Sequence, residues 1–291
     1  MIHLTALSPL VFILISLISF VFFVLTSKYL IIESHLLVII FFRFIFMSIL
    51  ELLGNRKNLT TSFKITKPGI HFLLSFSNLG FYYCFFGSLS RLPLMSAIAI
   101  YLAYPLFIPY ILRMWMGRKF KALYAFGVYL AWLGILLTFD PKFKLNNILV
   151  IVATLSSLLK AFSWIGYQRL SLDQSPILTW IIKYFTATIA AALLLAPSIK
   201  LPPASILLMI LIGCMFEKIS FYAFKKSLRE DNQLKMIMLF NSSVFLLGAL
   251  DLLIFHQTIP LKPLMSAILI YFGIFFTFKQ KNILPNSVYD L

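Results

Sequence analysis

The chain has 291 residues, 61% of them hydrophobic and 12% charged, with a formal net charge of +16. Mean hydropathy is +0.97. A soluble domain is about 45–50% apolar and about 25% charged, so this composition excludes a cytosolic enzyme, a secreted disulfide scaffold and a disordered chain, and makes lipid the solvent for most of the protein.

A transmembrane helix needs about 20 mostly apolar residues. Breaks at charge and proline clusters give ten candidate spans in chain order: 7–26, 36–53, 70–89, 94–112, 121–139, 146–166, 176–196, 205–224, 236–255 and 263–278. The first lacks a basic leader and a small-residue cleavage site, so it reads as a retained helix rather than a signal peptide. The runs are continuous, which favours helices over a barrel. The expected fold is therefore all-α and integral to the membrane. With the N-terminus inside, the inner loops carry 15 Lys and Arg and the outer loops 6. Basic residues crowd cytoplasmic loops, so both termini are expected in the cytoplasm, at the cell inner membrane. The positive charge is thus assigned to topology, and no nucleic-acid partner is expected. Cys84 and Cys214 lie in apolar runs and imply no disulfide framework. The four histidines show no metal-ligand spacing, and neither a metal nor a cofactor is expected.

Shifting the chain by 139 residues aligns its halves. Tyr83 meets Tyr222, Phe85 meets Phe224, Ser88-Leu89 meets Ser227-Leu228, Gly134-Ile135 meets Gly273-Ile274, and Thr138-Phe139 meets Thr277-Phe278. With a shift of 140, Arg43 meets Lys183. Five spans per half is an odd number, so the second half enters the membrane from the opposite side. The expected architecture is two inverted five-helix repeats, residues 1–140 and 141–291, which is the arrangement of many secondary transporters with a midplane site between the halves.

The ordered segments resemble the drug/metabolite transporter superfamily of the ten-helix EamA type. The residues that carry the resemblance are Phe42-Arg43-Phe44, Gly80 through Leu89, Pro93 through Ala97, Tyr104-Pro105, Gly127 through Thr138, and Trp164 with Arg169. Gly117 and His256 stand where the family often has glutamate, so that acid does not carry over. Within the superfamily, Ser27 through Leu30 and Ser34 through Phe44 resemble the S-adenosylmethionine transporters of obligate intracellular bacteria. The resemblance implies a secondary transporter whose lead substrate is S-adenosylmethionine, exchanged for S-adenosylhomocysteine. The alternatives are an amino-acid or drug/metabolite exporter of the same superfamily and, in another class, a membrane-embedded lipid-modifying enzyme. The enzyme reading lacks clustered nucleophile or metal geometry, and no Gly-x-x-x-x-Gly-Lys-Ser/Thr loop for ATP is present.

Ionisable groups inside a span are costly and default to functional hypotheses. Lys160, Glu217 and Lys183 lie roughly 10 Å inside the cytoplasmic edge at about 1.5 Å per residue, and Arg43 lies deeper. Glu217 is expected to pair with Lys160 or, failing that, Lys183. That pair either locks helices together or is opened by a zwitterionic substrate. Helical spacing surrounds it with Trp164, Asn78, Tyr82, Tyr104, Phe20, Ser220, Phe221 and Asn241 as candidate substrate-binding residues, although small polar residues also serve to pack membrane helices. Asp251 and Lys218 read as positional. Pro105 interrupts span four, with Val244 as its repeat-equivalent. Pro105 and Gly248 are therefore assigned to gating on spans four and nine. The expected partners are a small-molecule substrate and the bilayer; the oligomeric state is left open.

Overall fold

The computed structural model describes residues 8–54, 67–116, 122–138, 144–171, 176–194, 202–227, 233–255 and 261–279. Within them the chain is helical, in the order α1 (Pro9–Glu33), α2 (Leu36–Gly54), α3 (Pro68–Leu89), α4 (Leu94–Leu102), α5 (Tyr104–Met116), α6 (Ala122–Leu137), α7 (Lys144–Ser171), α8 (Pro176–Leu194), α9 (Ala204–Ser227), α10 (Gln233–Asn241), α11 (Ser243–Phe255) and α12 (Leu261–Phe278). Several starts are written locally. Pro9 and Pro68 stand in the first turn of α1 and α3, where proline's missing N–H costs nothing. Hydroxyls along the helices bond back to carbonyls one turn earlier, as Ser27 does to Phe23 at 2.7 Å and Thr154 to Val150 at 2.8 Å. Each such bond spares a hydroxyl from facing lipid without a partner.

Seven of these segments are long and apolar enough to cross a membrane: Pro9–Glu33, Leu36–Gly54, Pro68–Leu89, Leu94–Ile111, Asn147–Tyr167, Ala204–Ser227 and Lys235–Ile254. Their outer faces are oily. Leu14, Ile18, Phe72, Phe76 and Leu253 are all exposed, Phe72 by 73%. Such faces are stable only against lipid. This is an all-α, multi-pass membrane protein.

The structure revises three spans. Helix α1 runs seven residues beyond the predicted end at 26, through Lys28 to Glu33. By the predicted bounds, 7–26 and 36–53, Lys28 falls in the first outer loop. It is buried and paired with Asp251, which removes the reason to end the helix there. The fourth and ninth runs are each broken in the middle. Helix α4 stops at Leu102 and α5 begins at Tyr104, while α10 stops at Asn241 and α11 begins at Ser243. Pro105 has no N–H for the carbonyl four residues back, which accounts for the first break. The second has no proline. There the Asn241 amide donates to the Ile237 carbonyl at 2.8 Å and the Ser242 hydroxyl to Leu239 at 2.6 Å, the side-chain competition that loosens helices.

The two broken elements match in detail. Leu94–Leu102 and Gln233–Asn241 are offset by 139 at both ends, and so are Tyr104–Met116 and Ser243–Phe255. The bond that starts the second piece repeats too: Leu106 N–H to Ala103 at 2.9 Å, and Phe245 N–H to Ser242 at 3.1 Å. Packing follows the same rule. The most extensive contacts join α6 with α12, α1 with α9 and α3 with α7. Gly127 abuts the Gly273 backbone, and Gly134 abuts the Ser266 backbone. These two contacts exchange when 139 is added to one partner and subtracted from the other. Small residues let membrane helices approach this closely.

The basic loop residues used for orientation at 55–66, 117–121 and 228–232, and also Gly117 and His256, lie outside the described residues.

Candidate functional site

A cavity of about 460 Å³ lies among the helices, with walls supplied by α1, α2, α3, α4, α5, α7, α8, α9 and α10. Its deep end is aromatic. Phe20 stacks on Tyr101 at 5.9 Å between ring centroids and meets Phe240 at 5.1 Å, and Phe81 stacks on Tyr101 at 5.6 Å. Trp164 stands edge-on to Phe221 at 5.9 Å. The other end is polar and exposed. Gly54 and Tyr222 are exposed there, and the Lys218 side chain is 32% exposed. The cavity therefore leads to the surface where α2 and α9 end.

Glu217 is the organising acid. Arg43 donates to one of its oxygens and the Tyr82 hydroxyl to the other. The guanidinium lies 4.6 Å from the Phe23 ring centroid, 4.8 Å from Tyr82 and 5.4 Å from Phe86. An arginine is less strongly hydrated than a lysine and stacks on rings, so it tolerates this buried place. The expected partner of Glu217, Lys160, is not its partner here. The Lys160 ammonium instead sits 4.6 Å from the Phe81 ring centroid. Sequence depth along each helix put Lys160 and Glu217 at one level, but it carried no information on which helix faces which. Helix α2 packs on α9 and brings Arg43 across.

Of the candidates from sequence, Glu217, Lys160, Trp164, Tyr82, Tyr104, Phe20, Ser220, Phe221 and Lys183 line the cavity. Arg43 reaches it through Glu217. Asn78 and Asn241 do not belong to the lining. Asn78 is fully buried with both polar atoms unpartnered, and Asn241 spends its amide on the Ile237 carbonyl. Ser220 also has a packing role: its hydroxyl donates to the Ser16 carbonyl at 2.9 Å while Ser16 donates to the Ser220 carbonyl at 2.8 Å, which clamps α1 to α9. Pro105 and Gly248 stand outside the lining; Pro105 follows the α4/α5 break, and Gly248 packs against Met95. Sequence reading missed Glu51, Met47, Tyr184 and Phe240. Glu51 lines the mouth and pairs with Lys218 at 3.4 Å, while Lys218 also donates to the Leu50 carbonyl at 2.6 Å. Its place within the last turn and a half of an apolar run made it look like a terminus.

A second ion pair lies toward the opposite end of α1 from the mouth, outside the cavity lining. Asp251 accepts from the Lys28 ammonium at 2.8 Å and from the Leu94 backbone N–H at 2.8 Å. Lys28 and Asp251 are both buried. One carboxylate thus joins the far parts of α1 and α11 to the N-terminus of α4, where a negative charge is favoured.

No family model and no curated protein matches the chain. A solved crystal structure of a protein shares its fold with a TM-score of 0.61 at 13% identity, covering 94% of this chain and 98% of that one. At that identity the likeness is one of fold.

Proposed function

We propose that this chain is a secondary transporter that moves a small metabolite by alternating access. In this reading ten spans form two inverted five-helix units, residues 1–140 and 141–291, with both termini in the cytoplasm. The membrane is the cell inner membrane. The observation that carries the reading is a charged, aromatic cavity open at one end; the buried Lys28–Asp251 pair, tied to the start of α4, is proposed as the seal on the other side. The paired breaks at Ala103 and Ser242 support it, because related halves offer two states of similar energy, one open to each side. The mouth lies where α2 and α9 end, which is the cytoplasmic side in the proposed orientation, so this conformation faces inward.

The lead substrate is S-adenosylmethionine, exchanged for S-adenosylhomocysteine. The aromatic wall suits a flat purine, and ring faces attract a sulfonium. The protein acts by binding and by moving its seals; it is not proposed to be an enzyme, and no cofactor enters the cycle. Proteoliposomes preloaded with S-adenosylhomocysteine test the substrate. Uptake of labelled S-adenosylmethionine that depends on the preload is expected. Uptake no faster than in empty liposomes removes this substrate, and an aromatic amino acid then becomes the next solute to try.

A further inference from the structure

The charge inventory of the cavity deepens the transport reading, on which the inference rests. Among the described residues the lining carries Lys160, Lys183, Lys218 and Lys225 against Glu51 and Glu217. Both acids are engaged: Glu217 by Arg43 and Tyr82, Glu51 by Lys218. Lys160 is different. Its ammonium lies over the Phe81 ring, and no described carboxylate stands within ion-pair distance. A ring face attracts a cation but does not neutralise it, and a charge withdrawn from water needs a counter-charge. The repeat explains the imbalance. Subtracting 139 from Glu217 gives Asn78, so the first half carries an amide where the second carries an acid.

We propose that Lys160 is the anion-binding residue of the cavity and that it takes the carboxylate of a solute whose ring system lies against the Phe20, Tyr101 and Phe240 wall. Carboxylate is favoured over phosphate because the recurrent phosphate clamp is a bidentate guanidinium, and among the described residues the guanidinium at this site, Arg43, is spent on Glu217. The pocket volume fits a single small metabolite. The carboxyl group then does what Glu217 does not: it balances Lys160 when the solute is bound.

The test is binding to the purified full-length chain in nanodiscs, measured by isothermal titration with two matched pairs. One is S-adenosylhomocysteine and its decarboxylated counterpart; the other is tryptophan and tryptamine. In at least one pair the acid-bearing member is expected to bind ten-fold or more tightly than its mate, with the preference abolished in Lys160→Gln and partly kept in Lys160→Arg. Preference in the tryptophan pair alone upholds the anion site while removing the lead substrate. Equal affinity within both pairs overturns the proposal, as does binding of neither pair, or a preference that survives in Lys160→Gln. The comparison within the unmodified protein stands even if a variant fails to fold. Exchange that persists in Lys160→Gln with the acid preference intact leaves the transport reading in place and removes only this assignment.

Discussion

At the scale of single residues, the site turns on which cation owns Glu217. Arg43, Lys160 and Lys183 are all intramembrane cations; depth along the helices pointed to Lys160 or Lys183 and put Arg43 deeper, yet Arg43 holds the acid. Arg43 wins because it stacks on Phe23, Tyr82 and Phe86 while reaching the acid, so its desolvation is offset by both rings and carboxylate. Removing one member of a buried pair leaves the other uncompensated, at a cost on the order of 3–5 kcal/mol; Glu217 is 17% exposed, so the lower end applies. Glu217→Gln should lower the thermal midpoint of the detergent-solubilised protein and cut solute exchange at least ten-fold. Arg43→Gln combined with Glu217→Gln should recover most of the midpoint but not the exchange. Recovery of both would reduce the pair to a structural lock; uptake unaffected by Glu217→Gln alone would remove the acid from the site.

At the scale of elements, the broken helices and the glycine crossings make separate predictions. In Pro105→Ala an N–H becomes available to the Tyr101 carbonyl, which favours one continuous helix over the α4/α5 break. Exchange should slow several-fold while the amount inserted in the membrane stays unchanged; normal exchange rates would count against a moving part here. The α6/α12 crossing has no room to spare. A Cβ at Gly273 would stand 2.6 Å from the Gly127 carbonyl oxygen and 2.7 Å from the Ala131 Cβ. Because backbone must move to admit it, Gly273→Ala should destabilise by about 1–3 kcal/mol, read as earlier loss of monodisperse protein on heating. Gly248 differs, since its nearest neighbour is the flexible end of Met95, and alanine there should be milder.

At the scale of the whole molecule, the proposed carrier cycle requires that the far side and the mouth not be open together, and assigns the far seal to the Lys28–Asp251 pair. Asp251 is the joint of the seal, because one side chain holds both Lys28 and the first N–H of α4. Asp251→Asn keeps the size and removes the charge. A cysteine placed at Leu92, buried beside that seal, should then react several-fold faster with a membrane-impermeant thiol reagent added from the side away from the mouth. The two native cysteines are buried and contribute little background. An unchanged rate would mean that the ion pair fixes the helices without sealing the path.

The sequence by itself determined that the chain lives in lipid, that it is helical, and which intramembrane charges deserved attention. Those properties follow from composition and run length, which are local quantities. It also exposed the offset of 139 through pairs such as Gly134 and Gly273, before any helix bound was known. Only the tertiary structure decided who meets whom. Lys28 and Asp251 lie 223 positions apart, and Arg43 and Glu217 lie 174 apart; neither pair leaves a local signature, because the rotation of a helix about its axis is set by its neighbours. The break at Ser242 was equally hidden. No proline marks it, and the bonds that loosen it are made by ordinary Asn and Ser side chains whose choice between packing and backbone is settled in the assembled bundle.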